Sequence, residues 1–141
     1  MIEEGIGRVL ETWIDAWNAH DLDGVMELLH DEVVFENWDG RAVRGKRDLR
    51  RAWTGWFEDH GDFRFVTEEI FVDGGARKAL FMWRLDWPSR EEAFEGEREE
   101  RRGVDVLYFE DGKIIRKLTY SKTTVEIGGR KIELTAGGSR E

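Results

Sequence analysis

Apolar residues recur at helical spacing along residues 2–19, at Ile2, Ile6, Val9/Leu10, Trp13 and Trp17, and predict an amphipathic helix. His20-Asp21 interrupts the pattern, and Asp21 suits the N-cap of a shorter second helix with Leu22, Val25, Met26 and Leu29 on one face. Val33-Val34-Phe35 reads as a short strand that runs into the polar stretch Glu36–Gly40. A third helix is expected after Gly45, with Asp48 in its first turn and Leu49, Ala52/Trp53 and Trp56/Phe57 as its stripe. Beyond His60-Gly61 the texture changes. Segments 63–72, 76–87, 93–109 and 113–122 are β-branched and aromatic, and Asp73-Gly74-Gly75, Pro88-Ser89-Arg90 and Asp111-Gly112 separate them. Helices followed by an antiparallel meander mean α+β. The charged run Glu95–Arg102 alternates in sign and is expected to be a solvated hairpin arm, and His60 a partly exposed junction residue.

If Asp111-Gly112 is a two-residue hairpin loop, Leu107 faces Arg116, Asp105 faces Leu118 and Gly103 faces Tyr120. One face then carries Asp105, Leu107, Phe109, Ile114, Arg116, Leu118 and Tyr120, and the other Val104, Val106, Tyr108, Ile115, Lys117 and Thr119. Asp105 would sit among apolar neighbours, where desolvation raises a carboxyl pKa and a diagonal Arg116 lowers it. The apolar company favours the first, and hence a proton-transfer role. Residues 123–134 make a second hairpin around Gly128-Gly129, with Val125 opposite Ile132. A lone hairpin is marginal in water, so its apolar side must dock on the body or on a second subunit.

Composition narrows the chemistry. The chain of 141 residues is one domain's length, and with no cysteine it has no disulfide framework, thiol nucleophile or thiolate metal site. Thirty-one acidic against 22 basic residues give a net charge of −9, which argues against nucleic acid and anionic membranes as partners. No apolar run is long enough for a membrane span and no signal peptide is readable, so a cytoplasmic location is expected. His20, His30 and His60 lack metal-ligand spacing and no glycine-rich phosphate loop is present, so neither metal nor cofactor is expected. Seven tryptophans are the unusual feature, and suggest a bulky core or an aromatic-walled cavity.

Several segments together resemble the nuclear transport factor 2-like superfamily in its SnoaL-like branch. They are Trp17–Gly24, Asp31–Asn37, Arg44-Gly45, and Gly103–Val106 with Asp111–Ile114, spanning about residues 5–122. The resemblance implies three helices packed into the concave side of a strongly curved antiparallel sheet, a pocket at the open end, and a homodimer through the outer sheet face. It also implies a choice of activities. Ketosteroid isomerases keep a tyrosine, an aspartate base and a protonated aspartate where this chain has Trp13, Asn37 and Asp105, so only the last is retained. Epoxide hydrolases are matched by Arg84-Leu85-Asp86 and by Asn37, but Thr119 stands where their second acid belongs. Asp21 and His60 can be laid on the dyad of the dehydratases. Polyketide cyclases, with Trp, Asn and an acid–base Asp, are the least damaged match through Trp13, Asn37 and Asp105.

The expectation is therefore an α+β cone over residues 1–122, an extra hairpin over 123–135 and a flexible tail over 136–141. Its pocket would take a small apolar molecule bearing a carbonyl or hydroxyl. Asp105 and Asn37 are the catalytic candidates, and Trp13, Tyr120, Arg84 and Asp86 the substrate-binding ones, although Arg84 and Asp86 also suit a structural ion pair. The reading is a cofactor-independent isomerase, cyclase or hydrolase. The alternative is a non-catalytic ligand-binding or subunit-association domain.

Overall fold

The computed structural model describes residues 2–134, so the tail expected from Ala136 lies outside the described residues. Helix α1 (Ile2–Asn18) buries Ile6, Leu10, Trp13, Ala16 and Trp17, the stripe expected from the spacing. Glu3 and Glu4 in its first turn complement the helix dipole. The Asn18–Asp21 segment that follows is a set of local fasteners. Asn18 donates to the Phe65 carbonyl at 2.9 Å and accepts from the Phe65 N–H at 2.8 Å, so its amide stands in for a neighbouring strand. His20 donates through Nε2 to the Phe63 carbonyl and stacks on the Phe63 ring, and Asp21 caps α2 (Leu22–Glu27) by accepting from the Gly24 N–H.

Helix α3 (Lys46–Asp59) starts after Gly45, whose φ of 87° is the left-handed region open to glycine. The strands are β1 (Leu29–Glu36), β2 (Ala42–Arg44), β3 (Arg64–Asp73), β4 (Lys78–Pro88), β5 (Arg98–Glu110), β6 (Lys113–Ser121), β7 (Thr124–Ile127) and β8 (Arg130–Glu133). They form one sheet in the order β2-β1-β6-β5-β4-β3, with β7 and β8 attached to β5. The sheet is mixed rather than wholly antiparallel, because β1 runs parallel to β6 with Phe35 beside Lys117. Register shifts in β1, β3 and β6 strengthen the local twist and curl the sheet around the helices. The main core lies between the helices and the concave face. No helix among the described residues is long and apolar enough to cross a membrane.

The decisive irregularity is in β6. Glu110 and Phe109 pair with Lys113 and Ile114 as the Asp111-Gly112 turn requires, but Tyr108 then pairs with Arg116. Ile115 is an extra residue, a β-bulge. Every later pair moves by one, so Asp105 faces Thr119 and Leu107 faces Lys117. The side chains of β6 beyond the bulge exchange faces relative to the expected register. Arg116 lies over the Tyr108 ring, and Tyr120 is 53% exposed.

Two other expectations are corrected. The Glu95–Arg102 run follows the helical turn Glu92–Phe94 and becomes β5 at Arg98, where alternate residues point inward and Glu99 and Arg101 are buried. Glu99 accepts from Arg101 at 2.6 Å and from Ser89 at 2.8 Å, and the guanidinium lies over Trp87. His60 is buried rather than partly exposed, because its ring stacks on Trp56 and Trp87 and Nδ1 donates to the Trp56 carbonyl.

The β7–β8 hairpin pairs Val125 with Ile132 and attaches to β5 through Glu99 and Glu100. Val125, Ile127 and Leu134 form a second small core that Trp38, Phe94 and Ile132 cover. The hairpin thus docks on the body beside β5, next to the buried Glu99–Arg101 pair. Arg101→Met strands the Glu99 carboxylate in that interior and should cost about 3–5 kcal/mol in urea unfolding. A loss below about 1 kcal/mol, the scale of an exposed pair, would show that the pair is not needed.

Candidate functional site

The concave face holds a cavity of about 50 Å³, walled largely by Trp13 and Trp17 of α1, Trp53 and Trp56 of α3, and Phe81 and Trp83 of β4. That volume is room for roughly three to five ordered waters or one small ring. Trp17 is the hub of the wall. Its ring lies 5.0 Å from Trp53, 5.5 Å from Trp56, 5.6 Å from Trp13 and 4.8 Å from Phe57, mostly edge to face. Such pairs contribute about 0.5–1.5 kcal/mol each beyond their area.

Gly103 opens the space that Trp83 fills. A Cβ there would stand 2.6 Å from the Trp83 ring and 2.5 Å from the Tyr120 carbonyl oxygen, so no side chain fits. The N–H groups of two wall residues, Trp17 and Trp83, are buried without an acceptor among the described residues. A buried donor left unpaired costs about 1–3 kcal/mol, which an acceptor oxygen on a bound molecule relieves.

The polar end of the cavity is built by β1, β5 and β6. Asp105 is buried, and its Oδ1 accepts from the Thr119 hydroxyl at 2.8 Å. Lys117 donates to Thr119 Oγ1 at 2.7 Å and reaches Asp105 Oδ1 at 3.4 Å. The ammonium also lies 4.6 Å above the Phe35 ring and 5.9 Å from Trp53, so two ring faces and a carboxylate balance its charge. Among the described residues Asp105 Oδ2 accepts no hydrogen bond, which leaves one carboxylate oxygen for a ligand. Asn37 follows β1 and lines the cavity. Its Oδ1 accepts from the Trp38 N–H at 2.9 Å, and its NH2 donates to no described residue.

The structure therefore brings together three of the six sequence candidates, Asp105, Asn37 and Trp13. Tyr120 does not join them, because the bulge at Ile115 turns it to the outer face. Arg84 and Asp86 also stand away from the cavity. Arg84 donates both Nε and an Nη to Asp86 at 2.9 and 3.0 Å, while Glu100 and Arg98 complete the cluster. The hydrogen bond and charge of Asp86, then the charges of Glu100 and Glu68, hold the Arg84 guanidinium above its ordinary pKa. Asp21 serves as the cap of α2, and neither it nor His60 lines the cavity. Lys117 and Thr119 also line the cavity and were not among the sequence candidates, because the bulge that turns them inward carries no sequence signal.

Residues 10–117 match the model of the SnoaL-like domain, and this segment carries Trp13, Asn37, Asp105 and Lys117. The chain belongs to the SnoaL-like domain family. No curated protein matches it. Among solved structures, this SnoaL-like chain is similar to a nuclear transport factor 2-like protein of unknown function from Mesorhizobium loti. The two are 26% identical, the match covers 86% of this chain and 94% of that one, and the TM-score is 0.69. A candidate SnoaL-like polyketide cyclase from Jannaschia sp. CCS1 is 19% identical, with 86% and 88% coverage and a TM-score of 0.74. An LEH-like epoxide hydrolase of M. tuberculosis is 21% identical, with 85% and 84% coverage and a TM-score of 0.70. The last two likenesses show the fold alone. Neighbours of such different chemistry leave the activity to be argued from this chain's own cavity.

Proposed function

We propose that this SnoaL-like protein is a cofactor-independent acid–base enzyme acting on a small, largely apolar carbonyl or hydroxyl compound. One observation carries the reading. A buried carboxylate, Asp105, stands at the polar end of an aromatic cavity with one oxygen tied by Thr119 and Lys117 and the other unengaged. No arginine clamps it among the described residues, in contrast to Asp86. Asp105 moves the proton, Asn37 offers its NH2 to a substrate oxygen, and Trp13 forms the wall against which the substrate lies. The unpaired N–H groups of Trp17 and Trp83 support a ligand with an acceptor oxygen. The modest volume favours a single ring or a short chain over a fused-ring substrate. It is also the observation that favours the non-catalytic alternative, in which the cavity only holds a ligand.

Proton transfer can be read without knowing the natural substrate. Single-ring and short-chain ketones incubated with the protein in D2O should lose their α-proton NMR signals. Asp105→Asn should slow that exchange by about 10²–10⁴-fold. Exchange that persists unchanged in Asp105→Asn removes Asp105 from the chemistry. Absence of exchange from every ketone, with a small molecule retained in native mass spectrometry, decides for the ligand-binding alternative.

We also propose that a second copy covers the outer sheet face, where Phe71, Leu80, Met82 and Tyr120 are exposed apolar residues. Light scattering should give the mass of a dimer, and Leu80→Glu with Tyr120→Glu that of a monomer. A monomeric wild-type protein contradicts this.

A further inference from the structure

Asp105 and Lys117 are the two ionisable side chains that line the cavity among the described residues. Before reaction the negative charge sits on Asp105 and the positive charge on Lys117. When Asp105 takes a proton from a carbon next to a carbonyl, the C–H pair becomes a C=C bond. The carbonyl π pair moves onto oxygen, and the new O–H bond neutralises the carboxylate. The negative charge has moved to the substrate oxygen. In an apolar cavity that charge needs a fixed positive neighbour, since a bound substrate displaces the water that would otherwise solvate it.

We propose that Lys117 is a catalytic residue of this site, the ammonium that holds the enolate oxygen while Asp105 carries the proton. The substrate class follows: a compound of about one ring with an acidic C–H beside a ketone, ester or thioester carbonyl. This inference rests on the acid–base reading of Asp105. Three features of Lys117 support it. Its contact with Asp105 is long at 3.4 Å, whereas the bond to Thr119 is 2.7 Å, so the hydroxyl anchors the ammonium. An ammonium has three N–H donors, and two contacts leave one for the substrate. The Phe35 ring at 4.6 Å continues to stabilise the cation after the carboxylate is neutralised. Asn37, on the same cavity wall, adds a second donor for that oxygen.

Monocyclic phenols mimic an enolate, because both carry negative charge on an oxygen attached to an sp² carbon. Binding of 4-nitrophenol, followed by quenching of the cavity tryptophans and by the phenolate absorption band, therefore tests the proposal. In Asp105→Asn, where the competing carboxylate is gone and the cation remains, the bound phenol should ionise more readily than in water. A cationic neighbour shifts such an equilibrium by 1–3 pKa units, so the phenolate-to-phenol ratio should rise about tenfold or more. The double variant Asp105→Asn/Lys117→Met should lose this preference, and Asp105→Asn/Lys117→Gln gives the same comparison if the methionine variant does not fold. The proposal is overturned if Asp105→Asn binds the neutral phenol or none, or if either double variant binds phenolate as well as Asp105→Asn does. Failure of the Asp105 reading is separable. Deuterium exchange that survives in Asp105→Asn removes the base but leaves the phenolate comparison intact.

Discussion

The contact among Asp105, Thr119 and Lys117 depends on a single unpaired residue, Ile115. Between the Asp111-Gly112 turn and the bulge, β5 and β6 are in the simple hairpin register. Past it, side chains that would have faced outward face the cavity. Lys117 comes to lie beside Phe35 of the parallel strand β1, and Thr119 comes to lie opposite Asp105. Without the extra residue the same strands would turn Arg116, Leu118 and Tyr120 inward. Period-two alternation makes register an all-or-none choice, so one residue exchanges a whole set of side chains.

The aromatic wall sets the second constraint. Tryptophans from two helices and β4 fill most of the concave space, and Gly103 lets the Trp83 ring lie against β5. The same packing that holds the helices on the sheet limits the cavity to about 50 Å³ and makes it apolar except at one end. A carboxylate and an ammonium at that end interact more strongly than they would in water, which makes the pair suited to moving one charge over a short distance.

The helices were legible because Trp13, Trp17, Trp53 and Trp56 recur at the spacing of one helix face, and because Asp21 is a strong cap. The Asp111-Gly112 hairpin was legible as well, and both residues adopt the positive φ that such a turn requires. Asp105 was singled out from the strand pattern, Trp13 from the helix stripe and Asn37 from the resemblance, and all three line the cavity. The bulge was not legible. Ile114 and Ile115 are identical, apolar and β-branched, so either is acceptable on either face, and alternation alone cannot say which is the extra residue. Lys117 and Thr119 were lost with it. The Glu95–Arg102 run misled for a different reason. Alternating charge reads as a solvated strand, but Arg101 and Glu99 share one face and pair with each other beside a hairpin whose docking place was open. His60 looked like a junction residue because it follows the third helix and precedes a strand, whereas its neighbours in space are Trp56 and Trp87.

The register of β5 against β6 is the point on which the account turns, and cross-strand nuclear Overhauser contacts in labelled protein read it directly. Backbone contacts from Asp105 to Thr119 and from Leu107 to Lys117 are expected. Contacts from Asp105 to Leu118 and from Leu107 to Arg116 would contradict it. They would return Tyr120 and Arg116 to the cavity and remove Lys117 from the site.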